Sequence, residues 1–161
     1  MTELQRTTYK TRYGVPFVEG QLGAGKDGVV LMHRLTTAVK FFHSNENYTR
    51  ELRAYRALRD AGTDQVLGLH VPQLIRNDDE LRAIEMTVVT PPFLLDFASA
   101  YTDDELQWLG FTPEVWAERE AYWAEVFGER WPDAAAVRDA FHRITGLHLL
   151  DPSPNNIRLA I

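Results

Sequence analysis

Cysteine is absent from this 161-residue chain. That excludes disulfides, thiol catalysis and cysteine-based zinc sites, and it fits a reducing cytoplasm. No run of about 18 apolar residues occurs, so no membrane span is expected. The opening Met1-Thr2-Glu3-Leu4-Gln5-Arg6 lacks the apolar segment of a secretion signal. Basic residues are the minority, 17 Lys and Arg against 23 Asp and Glu. The resulting net charge of −6 argues against a general nucleic-acid binder. His33, His43, His70, His142 and His148 are scattered, with no pair one helical turn apart, so an imidazole metal site is not expected. Repeats and low-complexity stretches are lacking too.

What is present is apolar content of 45%, enough for the core of one domain or one small two-lobed unit. Short apolar runs and turn residues fill the first 90 positions. They predict strands over 15–22, 28–34, 36–42, 72–76 and 82–89, mostly antiparallel. One helix interrupts them, with Tyr48, Leu52, Tyr55 and Leu58 as its apolar stripe and its end near Gly62. Residues 101–145 predict three helices. Thr102-Asp103-Asp104-Glu105 is a capping box for the first, which Gly110 closes. Thr112-Pro113 opens the second, whose stripe is Trp116, Trp123 and Phe127 and whose end is Gly128. Asp133 is expected to cap the third, with Val137, Ala140, Phe141 and Ile144 facing inward and Gly146 at its end. Thr90-Pro91-Pro92 divides a strand-rich half, 1–90, from a helical half, 91–161. Trp108, Trp116, Trp123 and Trp131 read as packing residues, and Glu114, Glu118, Glu120, Glu125 and Glu129 as the solvated side of a helix or an attractor for a cationic substrate.

Three motifs carry chemistry. Gly23-Ala24-Gly25-Lys26-Asp27-Gly28-Val29-Val30 fits G-x-G-x-x-G-x-V. A dinucleotide-binding turn must run into a helix, whereas Val29-Val30-Leu31-Met32 is a strand, so that reading fails. Gly20 to Lys26 approximates a P-loop, but Asp27 stands where a magnesium-holding Ser or Thr belongs. There remain a strand-turn-strand flap over nucleotide phosphates and a β-hairpin without a ligand. In Ala38-Val39-Lys40-Phe41-Phe42, Lys40 lies inside an apolar run and needs a partner unless its strand has a solvated face. Glu51 lies along the apolar edge of its helix and could meet Lys40, or it could pair with Arg50, Arg53 or Arg56. In Asp151-Pro152-Ser153-Pro154-Asn155-Asn156, an acid and an Asn five residues later have the spacing of phosphotransfer loops. The same residues also make ordinary turns.

Taken in order, Gly23-x-Gly25-x-x-Gly28-x-Val30, Ala38-Val39-Lys40, Glu51 and Asp151-x-x-x-x-Asn156 resemble the protein-kinase-like superfamily, in its atypical or small-molecule (aminoglycoside or choline) branch. The resemblance spans residues 15–161. It implies an α+β fold with an N-terminal antiparallel sheet carrying one helix and a reduced helical C-terminal lobe. It implies ATP and magnesium as ligands, with Gly23, Gly25, Gly28 and Val30 forming the flap and Lys40 on the α- and β-phosphates. Glu51 would orient Lys40, Asp151 would be the catalytic acid and Asn156 a magnesium ligand. The strand Ile84–Thr90 would lead to the adenine hinge; Pro91 and Pro92 have no N–H, so the donor would come earlier, at Val89, with Met86 resembling the residue that guards the back of the pocket.

The departures are specific. Leu149-Leu150-Asp151 replaces His-Arg-Asp, and Ser153 stands where protein-directed kinases carry a Lys. Asp-Phe-Gly, whose acid holds the principal metal ion, should follow the strand 157–161. The expectation is therefore a truncated or minimal kinase acting on a small-molecule or protein hydroxyl, or an inactive pseudokinase-type interaction module. Either would leave apolar surface on the helical half for self-association or a partner.

Overall fold

Ala38-Val39-Lys40-Phe41-Phe42 runs through the centre of a five-stranded antiparallel sheet, and every residue from Thr37 to Phe42 is buried. The computed structural model describes residues 2–14, 17, 21–34 and 36–160. In chain order the elements are α1 (Glu3–Tyr13), β1 (Gln21–Ala24), β2 (Gly28–Arg34), β3 (Thr37–Phe42) and α2 (Asn45–Asp60). Then come β4 (Gln65–Val66), β5 (Leu69–His70), β6 (Leu74–Asp78), β7 (Ala83–Thr87), β8 (Phe93–Leu94) and β9 (Ala100–Tyr101). The helical part has α3 (Asp103–Trp108), α4 (Pro113–Phe127) and α5 (Trp131–Thr145), followed by β10 (His148–Leu149) and β11 (Ile157–Arg158). The fold is α+β. Its large sheet has the order β1-β2-β3-β7-β6, and a smaller one the order β11-β8-β5-β4.

Strand alternation divides the residues of β3 between two layers. Phe42 packs with Tyr48, Leu52, Tyr55 and Leu58 of α2, and that core continues through Leu94 and Phe97 to Trp123 and Phe141. Val39 and Phe41 point the other way and pack with Leu31, Ala83 and Tyr9 of α1. The expected strands at 28–34, 36–42, 72–76 and 82–89 are present within a few residues. Most of 15–22 lies outside the described residues, as does Gly20.

A single helix in the N-terminal half was too few. Thr2 and Gln5 form a capping box for α1, and Gly14 closes it in the left-handed conformation at φ 71°. These end signals match those of the later helices. The pull of the sheet on Tyr9 and Tyr13 makes the helix stable. Two buried carboxylates anchor it. Glu85 accepts from Tyr9 Oη at 2.9 Å, with His33 Nδ1 at 2.9 Å and Arg76 at 2.8 Å. Asp78 accepts from Tyr13 Oη at 2.8 Å, Arg12 at 2.6 Å and the Leu81 N–H at 3.0 Å.

Burial alone would raise both carboxyls. The amide of Leu81 with Tyr13 and Arg12, and His33 with Tyr9, outweigh it and hold Asp78 and Glu85 below their ordinary values. Carboxyls depressed in the fold stabilise it above their unfolded pKa of about 4 and cease to do so as pH falls through the folded values. Urea midpoints should therefore drop between pH 5 and pH 3. Glu85→Gln should lower the midpoint at pH 6 and flatten that dependence; an unaltered acid slope would show that Glu85 does not carry it.

The later helices follow the pattern read from the sequence, with three corrections. Asp133 does not cap α5, because Gly128–Arg130 is already a 3-10 turn that leads straight into Trp131. Its carboxylate faces Arg130 instead, at 3.4 Å. Ile144 sits in a last turn that reaches past the core and is 36% exposed. Trp108 is 86% exposed, not a packing residue, since α3 ends in solvent.

Candidate functional site

The alternation that buries Val39 and Phe41 against α1 turns Lys40 toward α2. There Lys40 Nζ donates to Glu51 Oε2 at 2.6 Å and to Asp96 Oδ1 at 3.1 Å. Glu51 is 1% exposed and Lys40 8%, so the pair is dry on most sides. Burial works to lower the Lys40 amine, but the charges of Glu51 and Asp96 outweigh it and leave its pKa above that of ordinary lysine. Burial pushes the Glu51 carboxyl up to about 7, against the pull of Lys40. Asp96 has φ 62°, a left-handed conformation in which Asp is among the few tolerated side chains.

Over this pair lies the β1–β2 hairpin. Its turn is closed by the Gly25 N–H donating to Gly28 O at 3.0 Å. Gly28 is needed for packing: a Cβ there would sit 2.2 Å from Phe41 O, in the backbone of β3. Gly23 and Gly25 face open space. Gly28→Ala should cost about 1–3 kcal/mol through that overlap, whereas Gly25→Ala should leave the melting temperature nearly unchanged. Equal melting of the two variants would contradict the packing role.

A cavity of about 710 Å³ opens beneath the hairpin, walled by Gly23, Gly25, Gly28, Val30, Ala38, Lys40, Glu51, Asp96 and Asn156. Its inner wall includes Tyr55, whose hydroxyl donates to Met86 Sδ at 2.9 Å. Val88 and Val89 border it, and the Val88 N–H is already given to Thr36 O at 2.9 Å. All the flap, lysine and hinge residues picked out from the sequence thus meet at one cavity.

Asp151 and Asn156 come from the loop between β10 and β11. Ser99 holds its start, with the Leu150 N–H on Ser99 O at 3.0 Å and the Asp151 N–H on Ser99 Oγ at 3.2 Å. Its end is a tight turn in which Ser153 O accepts from the N–H groups of Asn156 and Ile157. Asn156 Nδ2 reaches back to Asp151 O at 3.5 Å. Asp151 lines an adjoining cavity of about 220 Å³ that shares Asp27 and Asp96 with the larger one. Lys26 Nζ donates to Asp151 Oδ2 there at 3.0 Å.

The acid absent from the sequence reading is Asp96. β11 pairs antiparallel with β8, Ile157 opposite Leu94, and the Leu95 N–H donates to Asn156 O at 2.8 Å. The ladder brings Asp96 and Asn156 to the same end of the cavity. The resemblance implies Asp-Phe-Gly after the strand 157–161; here Asp96-Phe97-Ala98, which precedes α3, continues the chain from β8, the strand beside β11. The signal was in the chain, an apolar Phe93-Leu94-Leu95 run ending in Asp96-Phe97.

No family profile and no curated protein matches the chain. A solved ternary complex of streptomycin, ATP and APH(2'')-IIa is similar, with a TM-score of 0.44 and 14% identity. The likeness covers 75% of this chain and 35% of that one.

Chemically, the cleft offers a buried fixed ammonium at its inner end, an exposed carboxylate at its outer end, and Asp96 with Asn156 between. Among the described residues no three His, Asp or Glu side chains gather as a self-sufficient metal site. Asp96 and Asn156 supply hard oxygen donors, the kind magnesium takes when phosphates complete its shell. No helix among the described residues is long and apolar enough to cross a membrane.

Proposed function

We propose that the chain is a kinase-like domain that binds ATP with magnesium and passes the terminal phosphoryl group to a hydroxyl of a small molecule or a protein. One observation carries this: Lys40, largely buried, is held between Glu51 and Asp96, under a glycine hairpin, in a cavity of nucleotide size. A buried ammonium so oriented suits the α- and β-phosphates. The hairpin of Gly23, Gly25 and Gly28 covers them, and Val89 faces the base. Asp96 and Asn156 would hold magnesium, which when bound would offset phosphate charge.

In the transfer, Asp151 takes the proton of the acceptor hydroxyl as its oxygen bonds to the γ-phosphorus. The bond from that phosphorus to the bridging oxygen breaks, and ADP leaves with the electron pair. The residues work by position and charge, which is where phosphoryl transfer finds most of its acceleration. The expectation of an inactive interaction module rested on a missing acid. Asp96 in the cleft supports the active reading instead.

Measured ATP turnover should fall about 10²–10⁴-fold in Asp151→Asn, the range for a lost general base. Turnover equal to wild type would remove Asp151 from the mechanism.

A further inference from the structure

The hairpin tip carries a charge that the site described so far does not use. Lys26, the lysine of the P-loop-like string, reaches across the cleft to Asp151 from 125 residues away in sequence. We propose that Lys26 is a second phosphate-directed cation, which leaves Asp151 for the transferring phosphoryl group once nucleotide is bound. The proposal rests on the ATP reading of the cleft.

Three observations place it there. The turn that bears Lys26 is fixed at its base: Asp27 accepts from Asn47 Nδ2 at 2.7 Å, and the His43 N–H donates to Asp27 O at 3.0 Å. The Lys26 backbone is therefore held over the cleft while its side chain, 75% exposed, is free to turn. Its partner Asp151 is 58% exposed, and an ion pair in that much water is weak and readily exchanged for a doubly charged phosphate. The third observation is the shape of the outer cavity. It is bounded by Lys26, Arg50 and the carboxylates Asp27, Asp96 and Asp151. Arg50 is committed, pairing with Glu46, donating to Ala98 O and stacking on Tyr101 at 4.4 Å. Lys26 is then the cation of that cavity able to follow a ligand.

A phosphoryl group in flight passes between Lys40 and Asp96 on one side and Asp151 on the other. Lys26 already bridges the hairpin and Asp151, so it stands beside that path. Charge placed where negative oxygens crowd in the transition state acts on kcat more than on binding. Before nucleotide arrives the same lysine neutralises Asp151, and its departure frees the acid for the acceptor hydroxyl.

The test compares wild type, Lys26→Met and Lys26→Arg in ATP turnover, with ATP–magnesium titration of each. Lys26→Met should lower kcat about 10–100-fold, the loss seen when one charge-stabilising donor goes, with the ATP Kd moved less than about threefold and the melting temperature unchanged. Lys26→Arg should recover most of the rate. Wild-type kcat in Lys26→Met, or a raised one, overturns the proposal while leaving the nucleotide site intact. A wild type that binds ATP in no arm overturns the site reading itself, and this proposal with it.

Discussion

Asp96→Asn should slow phosphoryl transfer from ATP by at least about 100-fold, since a metal ion's share of transition-state stabilisation is several kcal/mol and each 1.36 kcal/mol is tenfold. The substitution is nearly isosteric, and Asn accepts the left-handed backbone that Asp96 adopts at φ 62°. Lys40 keeps its 2.6 Å partner Glu51, so the buried pair survives and the protein should fold as before. What is lost is a negative oxygen beside Asn156, where the β8–β11 ladder ends. Initial rates across a magnesium series would decide it: a kcat within a few-fold of wild type at every concentration would mean that Asp96 only positions Lys40.

Lys40→Met should weaken ATP binding about 100-fold or more while leaving a folded protein near pH 6. Breaking a buried pair usually costs about 3–5 kcal/mol because a charge is stranded. Here the stranded group can escape that cost. Burial already lifts Glu51 to about 7, and without the amine the carboxyl rises further and takes up a proton. The sign follows from linkage. An acid whose folded pKa exceeds its unfolded one holds an extra proton in the native state, so stability falls as pH rises from the unfolded value through the folded one. The variant should therefore melt close to wild type at pH 6 and lose more stability than wild type by pH 9. Parallel melting profiles would contradict the coupling.

Much of this site was legible in the sequence because its parts are local. Val29-Val30-Leu31-Met32 and Ala38-Val39-Lys40-Phe41-Phe42 are apolar runs on either side of a turn, and strands follow from that pattern. Lys40 inside such a run needs a partner unless its strand has a solvated face, and Glu51 on the apolar edge of its helix is one the sequence offers; the structure pairs the two at 2.6 Å. Capping residues Thr102 and Thr112 mark the starts of α3 and α4, and Gly128 and Gly146 the ends of α4 and α5, as read from the sequence. The same capping chemistry at Thr2 and Gln5 marks α1, yet its buried face is short and depends on Glu85 and Asp78, which are 65 or more residues from α1 in sequence.

Asp96 was hidden for a different reason. The motif order of the family the chain resembles places the metal-holding acid after Ile157–Arg158. Strand pairing is blind to chain order: β8 lies against β11 although the paired Leu94 and Ile157 are 63 positions apart. Two-residue strands carry too little pattern to reveal such a partnership. Gly28 shows the complementary limit, since a glycine expected to admit a ligand is required by the backbone of β3.

The most direct measurement is a calorimetric titration of ATP into the wild-type protein, with and without magnesium, repeated on Lys40→Met. One ATP per chain, bound more tightly with magnesium and lost in Lys40→Met, is the predicted result. Absence of wild-type binding at millimolar ATP, or equal binding by the two proteins, would contradict a phosphate grip at Lys40.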